Sequence, residues 1–312
     1  MMFTVVLVAV VPFLVVLGIS ALLALKVSDK PRLDGKEELL KEAEKGYINL
    51  DFWNSLAKSG FGFDSPHGYR LEGIRVTSPT PVLSTGGKRL ARVMVFCHGH
   101  GYCLVGAIKY LDHFLALGFD AVLYDNRASG SSGGRHVTMG HFEKDDLSVL
   151  IDLLRAEYGP EALIGTHGES MGGATVLLQA AMPNPPDFVI ADCAYSDLRE
   201  ELAYRLKVEN RLPSFPFVPL ASLVNRMHAG YFYGQVSPLR EILAHDGLAS
   251  VPVLFMHGGN DGYIPNGMSH RMCEAKKGIT DICIVDDAGH GASIVTDREL
   301  YGSTVDRFLS RI

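Results

Sequence analysis

The chain opens on an apolar run: from Phe3 to Leu25 it carries 23 residues without a charge. Wound as a helix at about 1.5 Å per residue, such a run is about 35 Å long, enough to cross a hydrocarbon layer of about 30 Å. It predicts a transmembrane anchor over residues 1–25, in which Pro12 is tolerated as prolines in membrane spans are. The pattern then changes. Between Asp34 and Lys58 the sequence is charged, with Leu39, Leu40, Ala43 and Tyr47 at helical spacing, and reads as a connector over residues 26–60. From Phe61 onward the periodicity shifts again. Phe63 to Tyr69 carries turn residues, and Arg70 to Val76 alternates as a strand does.

Six short apolar or β-branched runs follow: Arg92 to Cys97, Ala121 to Tyr124, Ala162 to Thr166, Phe188 to Asp192, Val251 to His257 and Asp281 to Val285. Each ends in glycine or a polar residue, as buried parallel strands do. Between them lie helical faces, one made by Leu147, Leu150, Ile151 and Leu154, another by Tyr301, Val305, Phe308, Leu309 and Ile312. This alternation predicts an α/β domain over residues 61–312, a mostly parallel sheet with helices on both faces and reactive groups at the carboxyl ends of its strands. One stretch breaks the rhythm. Roughly fifty residues, 197–249, separate two strands where a crossover needs about a dozen, and their prolines and aromatics (Pro213, Phe215, Pro216, Phe217, Pro219, Tyr231, Phe232, Tyr233) predict a helical cap over the cleft.

Charge narrows the partners. With 29 basic and 35 acidic residues the net charge is −6, without a basic stripe, so no nucleic-acid partner is expected. No Lys or Arg precedes the apolar run and no small-residue cleavage site follows it, which favours an uncleaved anchor over the competing signal peptide. Lys26, Lys30, Arg32 and Lys36 all lie on its C-terminal side and place the main domain in the cytoplasm. The five cysteines agree: their number is odd, Cys97, Cys193 and Cys283 sit in strand-like runs, and there is no C-x-x-C pair for redox or zinc chemistry.

The chemistry gathers at Gly168-Glu169-Ser170-Met171-Gly172, between the apolar run at Ala162 and a helical stretch rich in Ala, Val and Leu. That context makes the pentapeptide a nucleophile elbow rather than a Gly-Ser turn: a tight strand-to-helix turn projects the serine hydroxyl, and the helix N-terminus faces the negative charge that acyl transfer creates. A serine hydroxyl needs a base. His290, in a glycine-rich loop after the last strand, fits best, and Asp261, just after the strand ending at His257, is the carboxylate chosen to orient it; Asp286 and Asp287 are alternatives so close to His290 that they suit its turn better. The order Ser, Asp, His is that of α/β-hydrolases. The oxyanion hole would take one amide from Met171 and another from His100, in His98-Gly99-His100-Gly101 after an early strand. A metal site from His98 and His100 is disfavoured, since no third ligand stands nearby. The loop from Asp125 to Gly134 lacks both G-x-G-x-x-G and the Walker lysine and reads as a structured turn in which Asp125 and Arg127 hydrogen-bond the cleft wall. No cofactor and no metal are expected.

From the H-G-x loop at His98 through Ser170 to Asp261 and His290, residues 61 to 312 resemble the α/β-hydrolase superfamily. The Asp125 loop resembles a D-x-R-G-x-G-x-S-x-G segment common there, with Ala128 in place of its first glycine and Ser129 in place of a frequent histidine. Within the superfamily the chain is most similar to bacterial membrane-anchored hydrolases grouped with serine-peptidase-like and Bem46-like proteins, whose cap Arg211 to Pro216, Ala229-Gly230-Tyr231 and Ser237-Pro238-Leu239 resemble. The resemblance implies esterase-type chemistry; the constellation of Ser170, Asp261, His290 and the oxyanion loop leads to hydrolysis of an ester or thioester, and the anchor beside it to a small-molecule or lipid-like acyl substrate. Peptidase or acyltransferase activity on the same triad is the near alternative, and a non-catalytic membrane scaffold the distant one.

Overall fold

The computed structural model describes residues 2–83, 87 and 90–312, with side chains from Val11 onward. The chain begins with α1 (Met2–Ser28), α2 (Gly35–Glu44) and α3 (Leu50–Ser55). The sheet follows: β1 (Lys58–Asp64), β2 (Arg70–Val76), β3 (Arg92–Cys97), α4 (Leu111–Ala116), β4 (Asp120–Tyr124), α5 (Glu143–Tyr158), β5 (Leu163–Glu169), α6 (Met171–Ala180) and β6 (Phe188–Asp192). Three helices, α7 (Leu198–Asn210), α8 (Phe217–Ala229) and α9 (Pro238–Ala244), then precede β7 (Val253–Gly258). The chain ends with α10 (Gly267–Ala275), β8 (Thr280–Val285), α11 (Ser293–Thr296) and α12 (Arg298–Leu309).

The eight strands lie in the order β1-β2-β4-β3-β5-β6-β7-β8, and β3 to β8 are mutually parallel. β1 and β2 form an antiparallel edge, β2 pairing with β4 through Gly73 opposite Tyr124. The alternation of β3 shows why the inner strands are apolar throughout. Met94 and Phe96 pack into the core under α4 and α12, whereas Val93, Val95 and Cys97 face the core under α5 and α6, so every side chain from Val93 to Cys97 is removed from water.

Two features depart from the sequence reading. β1 starts at Lys58, ahead of Phe61, and the segment before it is more than a tether, since Ile48 and Trp53 are buried in the core. Lys58-Ser59-Gly60 has no apolar residue to mark a strand; it is paired because it lies beside β2. The second is α1. Its C-terminal part is packed on the domain: Ala24 and Val27 are buried with Phe217, Val218 and Ala221 of α8 and Leu202 and Leu206 of α7. The Ser28 hydroxyl donates to Asn225, itself fully buried on α8, and Asp29 accepts from His136 at 2.7 Å and from His228 at 2.9 Å.

Candidate active site

At the end of β5 the chain turns so sharply that Ser170 holds φ 58° and ψ −115°, outside the conformations an L-residue ordinarily adopts. Its neighbours make the turn possible. A Cβ on Gly168 would lie 2.1 Å from the Gly172 carbonyl oxygen, and one on Gly172 would lie 2.0 Å from that of Cys97. The Ser170 amide donates to the Asp192 carbonyl at 2.8 Å, which fixes the turn to β6.

Around this hydroxyl the structure brings together the side chains expected from the sequence. Ser170 Oγ lies 2.9 Å from His290 Nε2, and His290 Nδ1 lies 2.7 Å from Asp261 Oδ2. Facing a carboxylate, Nδ1 carries the ring proton, which leaves Nε2 free to accept from the serine. Asp261 is buried, and burial works against its charge. Hydrogen bonds from His257 and His290, helped by the Ile264 amide, nevertheless hold its pKa well below the usual carboxylate range. Asp286 and Asp287 are exposed.

The loop after β3 lies against the elbow, where a Cβ on Gly99 would come within 3.5 Å of Ser170 Cβ. His98 and His100 are turned to separate partners: His98 Nε2 accepts from the Asn126 amide at 2.9 Å, and His100 Nε2 donates to the Val27 carbonyl at 2.7 Å. Asp125 behaves as expected, accepting from the amides of Leu104 at 2.8 Å and Ser131 at 2.9 Å. Arg127 does not. Its guanidinium lies 4.9 Å from the Tyr69 ring and 4.8 Å from the Phe142 ring, because the cleft wall there is aromatic and offers π-faces rather than acceptors. Ala128, at φ 56°, occupies a left-handed position, which accounts for glycine being usual there.

Residues 92–219 match the family profile described as alpha/beta hydrolase fold. The uncharacterized protein YqkD of Bacillus subtilis (strain 168) is 36% identical over 279 residues, covering 88% of this chain and 87% of its own. The chain belongs to the α/β-hydrolase family. Among solved structures, this α/β hydrolase is similar to the Pyrococcus furiosus esterase Pf2001, with a TM-score of 0.67 at 20% identity over 91% of this chain and 98% of that one. It is also similar to the Pyrococcus horikoshii acylaminoacyl peptidase, with a TM-score of 0.58 at 20% identity over 84% of this chain and 42% of that one.

Several residues of this α/β hydrolase escape a reading of the sequence. His257, at the end of β7, directs Nε2 at Asp261 Oδ2, 3.2 Å away, and at the Ile264 carbonyl, 2.9 Å away, while Nδ1 meets the Ser269 hydroxyl at 2.7 Å. Beneath the elbow, Glu169 Oε2 is 2.6 Å from both Lys109 Nζ and the Tyr110 hydroxyl. The same ammonium donates to the Gly291 carbonyl at 2.6 Å and so ties the elbow to the histidine loop. Burial opposes the Lys109 charge, but the Glu169 carboxylate more than offsets it and raises its pKa. A lysine inside the apolar stretch Leu104 to Leu111 was the available signal.

In front of Ser170 lies a cavity of about 390 Å³. Its walls are largely apolar, with Met139, Leu202, Leu206 and Ile264 among them, and α1 supplies one side. Glu201 of α7 also reaches it, buried and with Oε2 lacking a hydrogen-bond partner among the described residues. Burial pushes its pKa up to about 7, against the pull of Arg205 and His290.

Proposed function

We propose that this protein is a serine hydrolase that cleaves a carboxylic ester or thioester. Ser170 is the nucleophile, His290 its base, and Asp261 the carboxylate that fixes the imidazole. As Oγ bonds to the acyl carbon, its proton passes to His290 Nε2, and the amides of Met171 and His100 receive the oxyanion. The acyl–oxygen or acyl–sulfur bond then breaks, with the His290 proton going to the leaving group. Water, deprotonated by the same nitrogen, attacks the acyl-enzyme and releases the acid and Ser170.

The observation that carries this reading is the unbroken relay from Ser170 through His290 to Asp261, at 2.9 and 2.7 Å. The apolar cavity beside it favours an acyl group over a peptide. The test is a fluorophosphonate probe applied to the detergent-solubilised full chain. The adduct should map to Ser170 and disappear in Ser170→Ala, and a folded wild type that stays unlabelled would remove the reading and favour the scaffold. Product analysis with competing amine and alcohol acceptors separates hydrolysis from acyl transfer.

α1 is long and apolar enough to cross a membrane. We infer that it does so uncleaved, leaving the catalytic domain in the cytoplasm. Its packing on α8 and the buried Ser28–Asn225 hydrogen bond support retention, because removal would strip the cover from an apolar surface.

A further inference from the structure

We propose that α1 is the outer wall of the acyl pocket, and that the substrate is a membrane-resident ester with a single long acyl chain, which enters the site along this helix. The inference deepens the hydrolase reading and rests on it. Six α1-side residues, Ile19, Leu22, Leu23, Lys26, Val27 and Lys30, border the same cavity as Ser170. An anchor that served only to tether would have no reason to reach the nucleophile's pocket.

The rim shows which way the pocket opens. Leu22 borders the cavity and is 67% exposed, so it stands between the pocket and the outer face of α1. That face is apolar, with Val15, Leu22 and Leu25 exposed along it. A chain passing on the Leu22 side of the rim moves between two largely apolar surfaces, a transfer that costs little.

Helix length sets the depth. The part of α1 ahead of Ile19, residues 2–18, rises about 26 Å at about 1.5 Å per residue, slightly less than a hydrocarbon layer of about 30 Å. A span made by this segment draws the rim at Leu22 down to the edge of the acyl chains. Lys26 follows one turn beyond, its ammonium 3.2 Å from Glu209 of α7, and Lys30 follows Lys26. Two cations at the mouth thus stand at the depth of the lipid phosphates, while the pocket behind them receives the chain. A lipid with one chain suits a single cavity, and its headgroup stays at the lysines while its carbonyl reaches Ser170.

A palmitoyl-length alkyl fluorophosphonate bearing a diazirine at the chain end tests this directly. The full chain, reconstituted in phosphatidylcholine nanodiscs, is labelled and then illuminated, and the crosslinked peptides are sequenced. The expected result is an adduct on Ser170 whose chain end is joined to α1 between residues 16 and 28. Chain-end adducts found only on other segments overturn the inference and leave the hydrolase reading standing, and failure of every fluorophosphonate to label Ser170 overturns both. Substitution gives a second reading. Leu23→Trp narrows the wall, and the ratio of p-nitrophenyl palmitate to p-nitrophenyl butyrate turnover should fall about tenfold, whereas Leu14→Trp, on the part of α1 away from the cavity, should leave that ratio unchanged. An unchanged ratio in folded Leu23→Trp would count against the wall.

Discussion

Asp261 stands among donors alone: the amides of Tyr263 and Ile264 reach Oδ1 at 2.8 and 2.9 Å, and two imidazoles reach Oδ2. Such a carboxylate stays ionised and holds His290 in one tautomer. Asp261→Asn should therefore fold, keep its affinity for ester and lose about 10³- to 10⁴-fold in kcat, as measured by steady-state hydrolysis; a loss below tenfold would mean that the carboxylate does not orient the ring. Glu201 is the opposite case. Folding raises its pKa from 4.5 to about 7, so within that window the folded state holds a proton that the unfolded state has released, and stability falls as pH rises. Glu201→Gln should unfold several degrees above the wild type at about pH 8 and lose that advantage by about pH 5. A Tm difference independent of pH would contradict it. Lys109→Met leaves the half-buried Glu169 beside Tyr110 without its cation and should cost about 3 kcal/mol, read by denaturant unfolding; a loss under about 1 kcal/mol would show the pair to be dispensable.

At the scale of elements, the site was legible wherever a residue stood at the end of an apolar run. Ser170 follows β5, Asp261 follows β7 and His290 follows β8, and parallel strands deliver their carboxyl ends to one rim. What the pattern could not carry was contact between distant surfaces. The apolar face of α1 suits lipid and protein equally, so nothing in its composition distinguishes the part that packs on α8 from the part that does not. Glu201 was hidden for a related reason: a glutamate in a charged helix is expected to meet water, and only the fold turns it into the cavity in front of Ser170. The docking of α1 has its own consequence. A chain lacking residues 1–33 should expose the surface formed by Leu206, Phe217 and Ala221, and unfold at a lower temperature or aggregate in detergent-free buffer. Equal thermal unfolding of truncated and full chains would show the contact to be worth nothing.

For the whole molecule, the proposed anchor is also the helix that covers α7 and α8 and forms one side of the pocket. Lys26, Lys30, Arg32 and Lys36 all follow α1 or lie at its C-terminal end, so a span made by α1 is expected to leave the domain on the cytoplasmic side. A single cysteine introduced at the exposed surface of α12 should react with an impermeant maleimide only after the cells are opened. Reaction in intact cells would place the domain outside.

One carboxylate at position 29 grips an imidazole from the loop at 136 and a second from the cap at 228. Three stretches of polypeptide far apart in the sequence are pinned at that knot. Across descendants of a common ancestor these columns should be inherited as a set: where the acid is replaced, both rings lose their reason for being there, and natural variation becomes a record of whether the knot holds.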